Sequence, residues 1–173
     1  QLVTSPYHVM RKYEQERAAA LASSDTLYCY DYLDLFREAC KNAWAEKEAQ
    51  YNPAVTGDAP PRPEQFLDYV ELVVAVKGTE PPMFRGEGKA WDLATAEAGH
   101  CELREVQRPM GQNDVGMVAW LVTLRTPEYP EGRQIVLISN DITYVQGSFG
   151  TREDWVFKCA SEYAREHKLP RIY

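Results

Sequence analysis

Apolar positions along this chain repeat at two different periods, and the change of period marks out its elements. Leu33, Phe36, Cys40, Ala43 and Trp44 recur at three- and four-residue steps. That spacing places one apolar stripe on a helix running to about Glu48, with Asp31 or Asp34 as its cap. Trp155, Val156, Cys159, Ala160, Tyr163 and Ala164 form a second such stripe. It predicts a helix from about Thr151 to His167. Thr151 and Asp154 offer a capping-box-like start, and Arg165 and Lys168 suit the negative end of the dipole. A helix-prone lead-in from Tyr7 to about Leu21 ends in the polar Ser23-Ser24-Asp25 turn.

Between the helical stretches the period drops to two or vanishes. Strands are predicted at Leu27–Tyr30, Phe66–Val76, Leu103–Val106, Gly116–Arg125 and Gln134–Ser139. In Gly116–Arg125 both alternating sets are apolar: Met117, Ala119 and Leu121 on one face, Val118, Trp120 and Val122 on the other. Such a strand belongs in the middle of a sheet covered on both sides. Asn52 to Pro63 reads as a proline-rich loop. Lys77 to Gly99 reads as an irregular insertion, pinned to the body by Met83, Phe84 and Trp91. Its Arg85-Gly86-Glu87-Gly88-Lys89 run lacks the preceding strand, the following helix and the spacing of a phosphate loop. The early strands have short connections suited to antiparallel pairing. The closing strand–helix–strand, Ile135 to Tyr173, requires parallel pairing and a right-handed crossover. The fold class is α+β.

Composition narrows the function classes. At 173 residues the chain is the size of one domain, or one core with an appendage. A formal charge of −7 and a pI near 5.0 argue against a nucleic-acid partner. No run approaches the roughly 18 apolar residues of a membrane helix, so no membrane partner is expected. Cys29, Cys40, Cys101 and Cys159 are widely spread and read as buried free thiols. His8, His100 and His167 are isolated, so no metal is expected.

The most informative stretch is Ile135 to Gly150, IVLISNDITYVQGSFG. An apolar strand ends at Ser139-Asn140-Asp141. A β-prone Ile142–Val145 follows, then a Gly147-Ser148-Phe149-Gly150 turn, then the helix. A glycine turn leading into an uncapped helix start offers backbone N–H groups on which an anion or a polarised carbonyl can rest. Asn140 and Asp141 have the side chains of catalytic residues, but turn formation and strand-end capping account for them.

Pro127-Glu128-Tyr129-Pro130-Glu131-Gly132-Arg133, Asn140–Tyr144, Gly147–Gly150, Glu153-Asp154 and Pro170–Tyr173, in this order and spacing, resemble the carboxyltransferase of eukaryotic-type multidomain acetyl-CoA carboxylases. Asn113–Trp120 and Tyr28–Arg37 resemble it too, and the likeness runs from about Ser5 to Tyr173. It implies residues 1–126 as a helix/strand part with a β-rich cap. Residues 127–173 would then open a crotonase-like, CoA-binding core with its first β-β-α-β unit, truncated here. The family continues past this point into a Ser-Gly-Ala-Arg loop and a second crotonase-like domain. The chain is therefore expected to be a piece of the enzyme, inactive alone and with no catalytic residue of its own.

The resemblance further implies transfer of a carboxyl group from carboxybiotin to acetyl-CoA, giving malonyl-CoA for fatty acid biosynthesis. Biotin would ride on another domain. Implied partners are acetyl-CoA or CoA, the rest of the carboxyltransferase, the biotin carboxylase and biotin carrier domains, and a second copy in a homodimer. The compartment would be the cytoplasm, or a plastid in an alga or plant. Gly147, Ser148, Phe149 and Gly150 would border the CoA side. Phe149 either contacts the ligand or plugs the core. Family members commonly carry Lys or Arg where Val145 stands, so a direct phosphate contact there is not expected unless Arg152, otherwise a solvated first-turn residue, replaces it. Two other readings remain: a non-catalytic packing module of a carboxylase, and a relative of other crotonase-fold acyl-CoA enzymes.

Overall fold

The computed structural model describes residues 12–23, 27–51 and 62–173. Tyr7–Arg11, Ser24-Asp25, most of the proline-rich loop and His8 lie outside them. Among the described residues the α-helices and strands are, in order, α1 (Lys12–Ala22), α2 (Asp31–Ala49), β1 (Leu67–Val76), α3 (Leu93–Glu97), β2 (Cys101–Val106), β3 (Met117–Thr126), β4 (Tyr129–Asn140), α4 (Thr151–Glu166) and β5 (Arg171–Ile172), with a single 3-10 turn at Val145–Gly147 before α4. The strands form one mixed sheet in the order β2-β1-β3-β4-β5. Pairing is antiparallel except at β4–β5, where Val136 faces Arg171 and Leu137 faces Ile172 in parallel.

β3 occupies the middle, as its doubly apolar pattern requires. Met117, Ala119 and Leu121 join one core with Val156, Ala160 and Ala164 of α4. Val118, Trp120 and Val122 join the other core with Leu33 and the preceding Cys29 and Tyr30. One helix thus seals each face of the sheet, and each fully buried Leu or Val contributes about 1.5–3 kcal/mol. Trp44 of α2 is 1% exposed and donates its indole N–H to the Arg125 carbonyl at 3.0 Å. This bond pins the helix to the end of β3.

Several expectations give way. Leu27–Tyr30 is not a strand: Asp31 N–H bonds to Tyr28 O and Leu33 N–H to Tyr30 O, so a tight turn rolls directly into α2. Tyr30 itself holds the N-cap position with helical dihedrals and no side-chain bond, so neither Asp31 nor Asp34 caps; both lie inside the helix's first turn. Burial overrides the β propensity of this aromatic stretch, since the Tyr30 ring packs edge-on against Trp120 at 5.3 Å.

β4 begins at Tyr129, five residues before the expected Gln134. Gly132 and Pro130 suggest a loop, but over this stretch β4 pairs only with β3, and an edge position tolerates a missing N–H. Gly132 adopts φ +108°, and a Cβ there would lie 2.6 Å from Thr123 Cγ2. In the 77–99 insertion Trp91 is buried as expected, whereas Met83 and Phe84 are 39% and 49% exposed. Among the described residues no helix is long and apolar enough to cross a membrane. No group of three or more His, Cys, Asp or Glu among them could hold a metal ion.

Candidate functional site

The chain leaves β4 at Asn140 and turns at once, because Asp141 gathers the backbone around itself. Asp141 is fully buried. Its carboxylate accepts the Thr143 N–H at 2.9 Å, the Thr143 hydroxyl at 2.6 Å and the Asn113 amide at 2.8 Å. Its own N–H donates to Gly116 O at 2.8 Å. With its oxygens engaged in this way, Asp141 builds the turn rather than serving as an acid or base. Ile142–Tyr144 consequently forms a turn and a bend and Val145 opens a 3-10 turn, in place of the β stretch that composition suggests.

Three left-handed residues follow: Val145 at φ +48°, Gln146 at +55° and Gly147 at +74°. Only the glycine adopts this region without cost, and a β-branched residue there is a real outlier. Val145 is 69% exposed, so packing of its side chain does not offset the strain. Asn140 holds the turn instead, donating its amide to the Gly147 carbonyl at 2.9 Å. The same side chain accepts the Tyr173 hydroxyl at 3.2 Å.

This turn borders an open cavity of about 500 Å³ at the carboxyl ends of the parallel strands β4 and β5. Its floor is Leu137, Ile138, Ser139 and Asn140, with Tyr32 and Phe36 of α2 on one wall and Ile142, Gln146 and Gly147 on the other. An open concave cavity of this size, with apolar walls and a few polar groups, is the usual form of a small-molecule site. Beyond the cavity lies an aromatic ledge. Phe149 meets Phe157 edge-on at 5.8 Å, Phe157 meets Tyr173 at 5.1 Å, and Arg171 lies over Phe157 at 5.0 Å.

Gly150 at the N-cap of α4 has no side chain to offer the first-turn N–H groups. Glu153 reaches back to accept the Gly150 N–H at 3.1 Å and, across the sheet, the Gly116 N–H at 2.8 Å. A Thr151–Asp154 box is not what closes it; Gly150 is the N-cap and Glu153 occupies the third helical position. Gly116 is required because a Cβ would fall 2.9 Å from the Tyr144 ring and 3.3 Å from the Glu153 carboxylate.

Residues 127–173 match the family model described as Carboxyl transferase domain. Over 175 residues the chain is 43% identical to the acetyl-CoA carboxylase of Dictyostelium discoideum, covering 99% of this chain and 7% of that protein. It is 36% identical over 171 residues to the acetyl-CoA carboxylase of Saccharomyces cerevisiae, and 35% over 172 residues to acetyl-CoA carboxylase 2 of Arabidopsis thaliana. In each case the alignment covers 99% of this chain and 6% of the relative. The chain belongs to the carboxyltransferase family of the acetyl-CoA carboxylases. It spans a small part of the length of those relatives.

Within this carboxyltransferase segment, the four residues singled out from sequence do not share one environment. Gly147 lines the cavity, whereas Ser148, Phe149 and Gly150 are exposed on its helix side. Phe149 is 48% exposed, a surface aromatic leaning on Phe157 rather than a core plug. Arg152 lies over Trp91 at 4.7 Å and bonds Asp114 at 3.0 Å, which commits its charge to the insertion side. The pattern of the carboxyltransferase segment had not revealed the Glu153 tie or the link from Asn140 to Tyr173. A glutamate three residues after a glycine N-cap was the available signal for the first. The second depends on a 33-residue separation and leaves no local trace.

Proposed function

We propose that this chain supplies part of the acyl-CoA side of an acetyl-CoA carboxylase carboxyltransferase. In that reaction carboxybiotin gives up its carboxyl group to acetyl-CoA, forming malonyl-CoA. The biotin is brought by another domain, and the biotin carboxylase, the biotin carrier, the rest of the carboxyltransferase and a second copy in a homodimer are the partners. The compartment is the cytoplasm, or a plastid. Residues 127–173 open the crotonase-like core of this reading, and residues 1–126 supply the helix and strands that wall it. The chain itself carries no catalytic residue.

The observation that carries the reading is that Gly147 sits on the rim of an open cavity and not inside the core. The cavity is large enough for a pantetheine arm, and its lining combines apolar Leu137, Ile138 and Phe36 with the polar Ser139 and Asn140, a mixture that suits an acyl thioester. Negative charge developing on a thioester oxygen is stabilised by fixed backbone dipoles, which explains why no nucleophile–base pair is needed. Calorimetric titration of the chain with acetyl-CoA tests it. Ser139→Trp fills the cavity from its floor and is expected to weaken binding at least about tenfold. Equal binding by this variant and by the native chain, or no binding by either, overturns the proposal.

A further inference from the structure

β2 forms one edge of the sheet, and the cavity beside β4 and β5 lies towards the other. Among the described residues β2 pairs with β1 alone. Lys77, just past β1, donates its N–H to His100 O at 2.8 Å, which fixes the residues of β2 that bond inward. Bonded and non-bonded pairs alternate along an antiparallel ladder. With Val76 opposite Cys101, the bonded pairs are therefore Ala75–Glu102, Val73–Arg104 and Glu71–Val106. Cys101, Leu103 and Glu105 consequently point their N–H and C=O groups away from the sheet. An edge of this kind is a template for another strand unless something blunts it.

Charge is the usual blunting device, but here the charges are self-complementary. The side chains of Glu102 and Arg104 are 37% and 46% exposed and bond one another at 2.8 Å on one face of the strand. A second β2 laid antiparallel must match outward-pointing groups with outward-pointing groups, so Cys101, Leu103 and Glu105 can meet only one another. A two-fold axis at Glu102 would set two carboxylates face to face, and one at Arg104 two guanidiniums. An axis at Leu103 puts Glu102 opposite Arg104 of the second copy, twice, in the non-bonded pairs whose side chains approach most closely. On the other face half-buried Leu103 meets its own counterpart. Glu105, opposite Cys101, has its carboxylate held by the Tyr163 hydroxyl at 2.7 Å. We propose that β2 is a self-pairing edge: a second copy of this chain adds to it antiparallel, in the register centred on Leu103, and joins the two sheets into one. The proposal goes beyond the acyl-CoA reading and does not rest on it, because seam and cavity lie towards opposite edges of the sheet.

Sedimentation velocity over a concentration series of the full chain tests it, with amide hydrogen exchange followed at the two ends of the series. A six-residue edge buries little surface, so the dimer is expected to be a weak, transient one. Exchange at Cys101, Leu103 and Glu105 is expected to slow as it forms. Arg104→Glu sets like charges across the seam and is expected to weaken association at least about tenfold. Adding Glu102→Arg to that variant swaps the two charges, restores the match and is expected to return the native affinity. Both side chains are exposed, so the substitutions leave the core intact. A native chain that stays monomeric up to about 1 mM overturns the proposal. So does a dimer whose outward amides exchange as fast as the monomer's, an Arg104→Glu chain that associates like the native one, or a charge swap that recovers nothing.

Discussion

Glu71 and Arg108 form a bidentate ion pair inside the protein, with Arg108 Nε 3.0 Å from one carboxylate oxygen and Nη2 2.5 Å from the other. Their side chains are 4% and 3% exposed. Arg108 also donates to the Pro82 carbonyl at 3.2 Å, so the pair ties β1 to the 77–99 insertion. Tyr30 directs its hydroxyl at both Glu71 oxygens from 3.4 Å. Burial alone would lower the guanidinium's pKa, but the hydrogen bond and charge of Glu71 outweigh it and raise it.

Breaking this pair from one side leaves a buried charge without its partner. Arg108→Met is expected to cost about 3–5 kcal/mol, whereas the double change with Glu71→Leu recovers most of that loss. Urea unfolding of the two single variants and the double variant measures the coupling. A double variant no more stable than Arg108→Met alone contradicts the assignment.

Val145 pays for a left-handed backbone without gaining contacts. Val145→Asn, a residue that accepts this region, is expected to stabilise the chain by about 1 kcal/mol. A lowered thermal midpoint would show that the valine side chain matters in a way its exposure conceals.

Asn140 closes the turn from the strand end. Asn140→Ala removes a donor from Gly147 O and an acceptor from the Tyr173 hydroxyl, a loss of about 1–3 kcal/mol. Hydrogen exchange is expected to quicken at Gly147 and Ser148 and to stay unchanged in β1. Uniform quickening over the whole sheet would assign Asn140 to global stability instead.

Alkaline pH is expected to destabilise the fold. Burial first, then the Glu162 charge, raises the Cys159 thiol from 9.0 to about 11. Burial, then the hydrogen bond to Glu105, raises the Tyr163 phenol from 10.0 to about 12. Both groups bind their protons more tightly when folded, so their contribution is complete below the unfolded values and is lost as pH rises through the folded ones. The urea midpoint should therefore fall between pH 9.0 and about 11, and Cys159→Ala should flatten that part of the curve. A slope that Cys159→Ala leaves unchanged would place the titration elsewhere.

Trp44 couples α2 to the end of β3 through packing and one hydrogen bond. Trp44→Ala is expected to cost about 3–5 kcal/mol, and Trp44→Phe less because the ring volume is largely retained. Equal losses would mean that the bond to Arg125 O outweighs the packing.

The local pattern carried much of the architecture. The stripe on α2, the stripe on α4 and the two apolar faces of β3 are each written in neighbouring residues, so the helices, the central strand and the two-sided core were legible. Leu27–Tyr30 and Ile142–Val145 misled for one reason: β propensity describes fit to a half-buried pleated surface, and here other contacts bury or bend the chain. Glu71 lies within the apolar run of β1, and no local pattern names Arg108, 37 residues away, as its partner.

Sequence by itself determined which residues alternate, which repeat with helical spacing and where glycine must bend the chain, because sterics and burial periodicity act over a few residues. Its motifs also carried the family likeness. Only the tertiary structure decided that Gly147 opens on a cavity, that Glu153 joins the Gly150 and Gly116 amides and that Asn140 meets Tyr173. Those outcomes depend on strands that pair across tens of residues, and the free energy of such pairing resides in the assembled sheet and in no single segment of it.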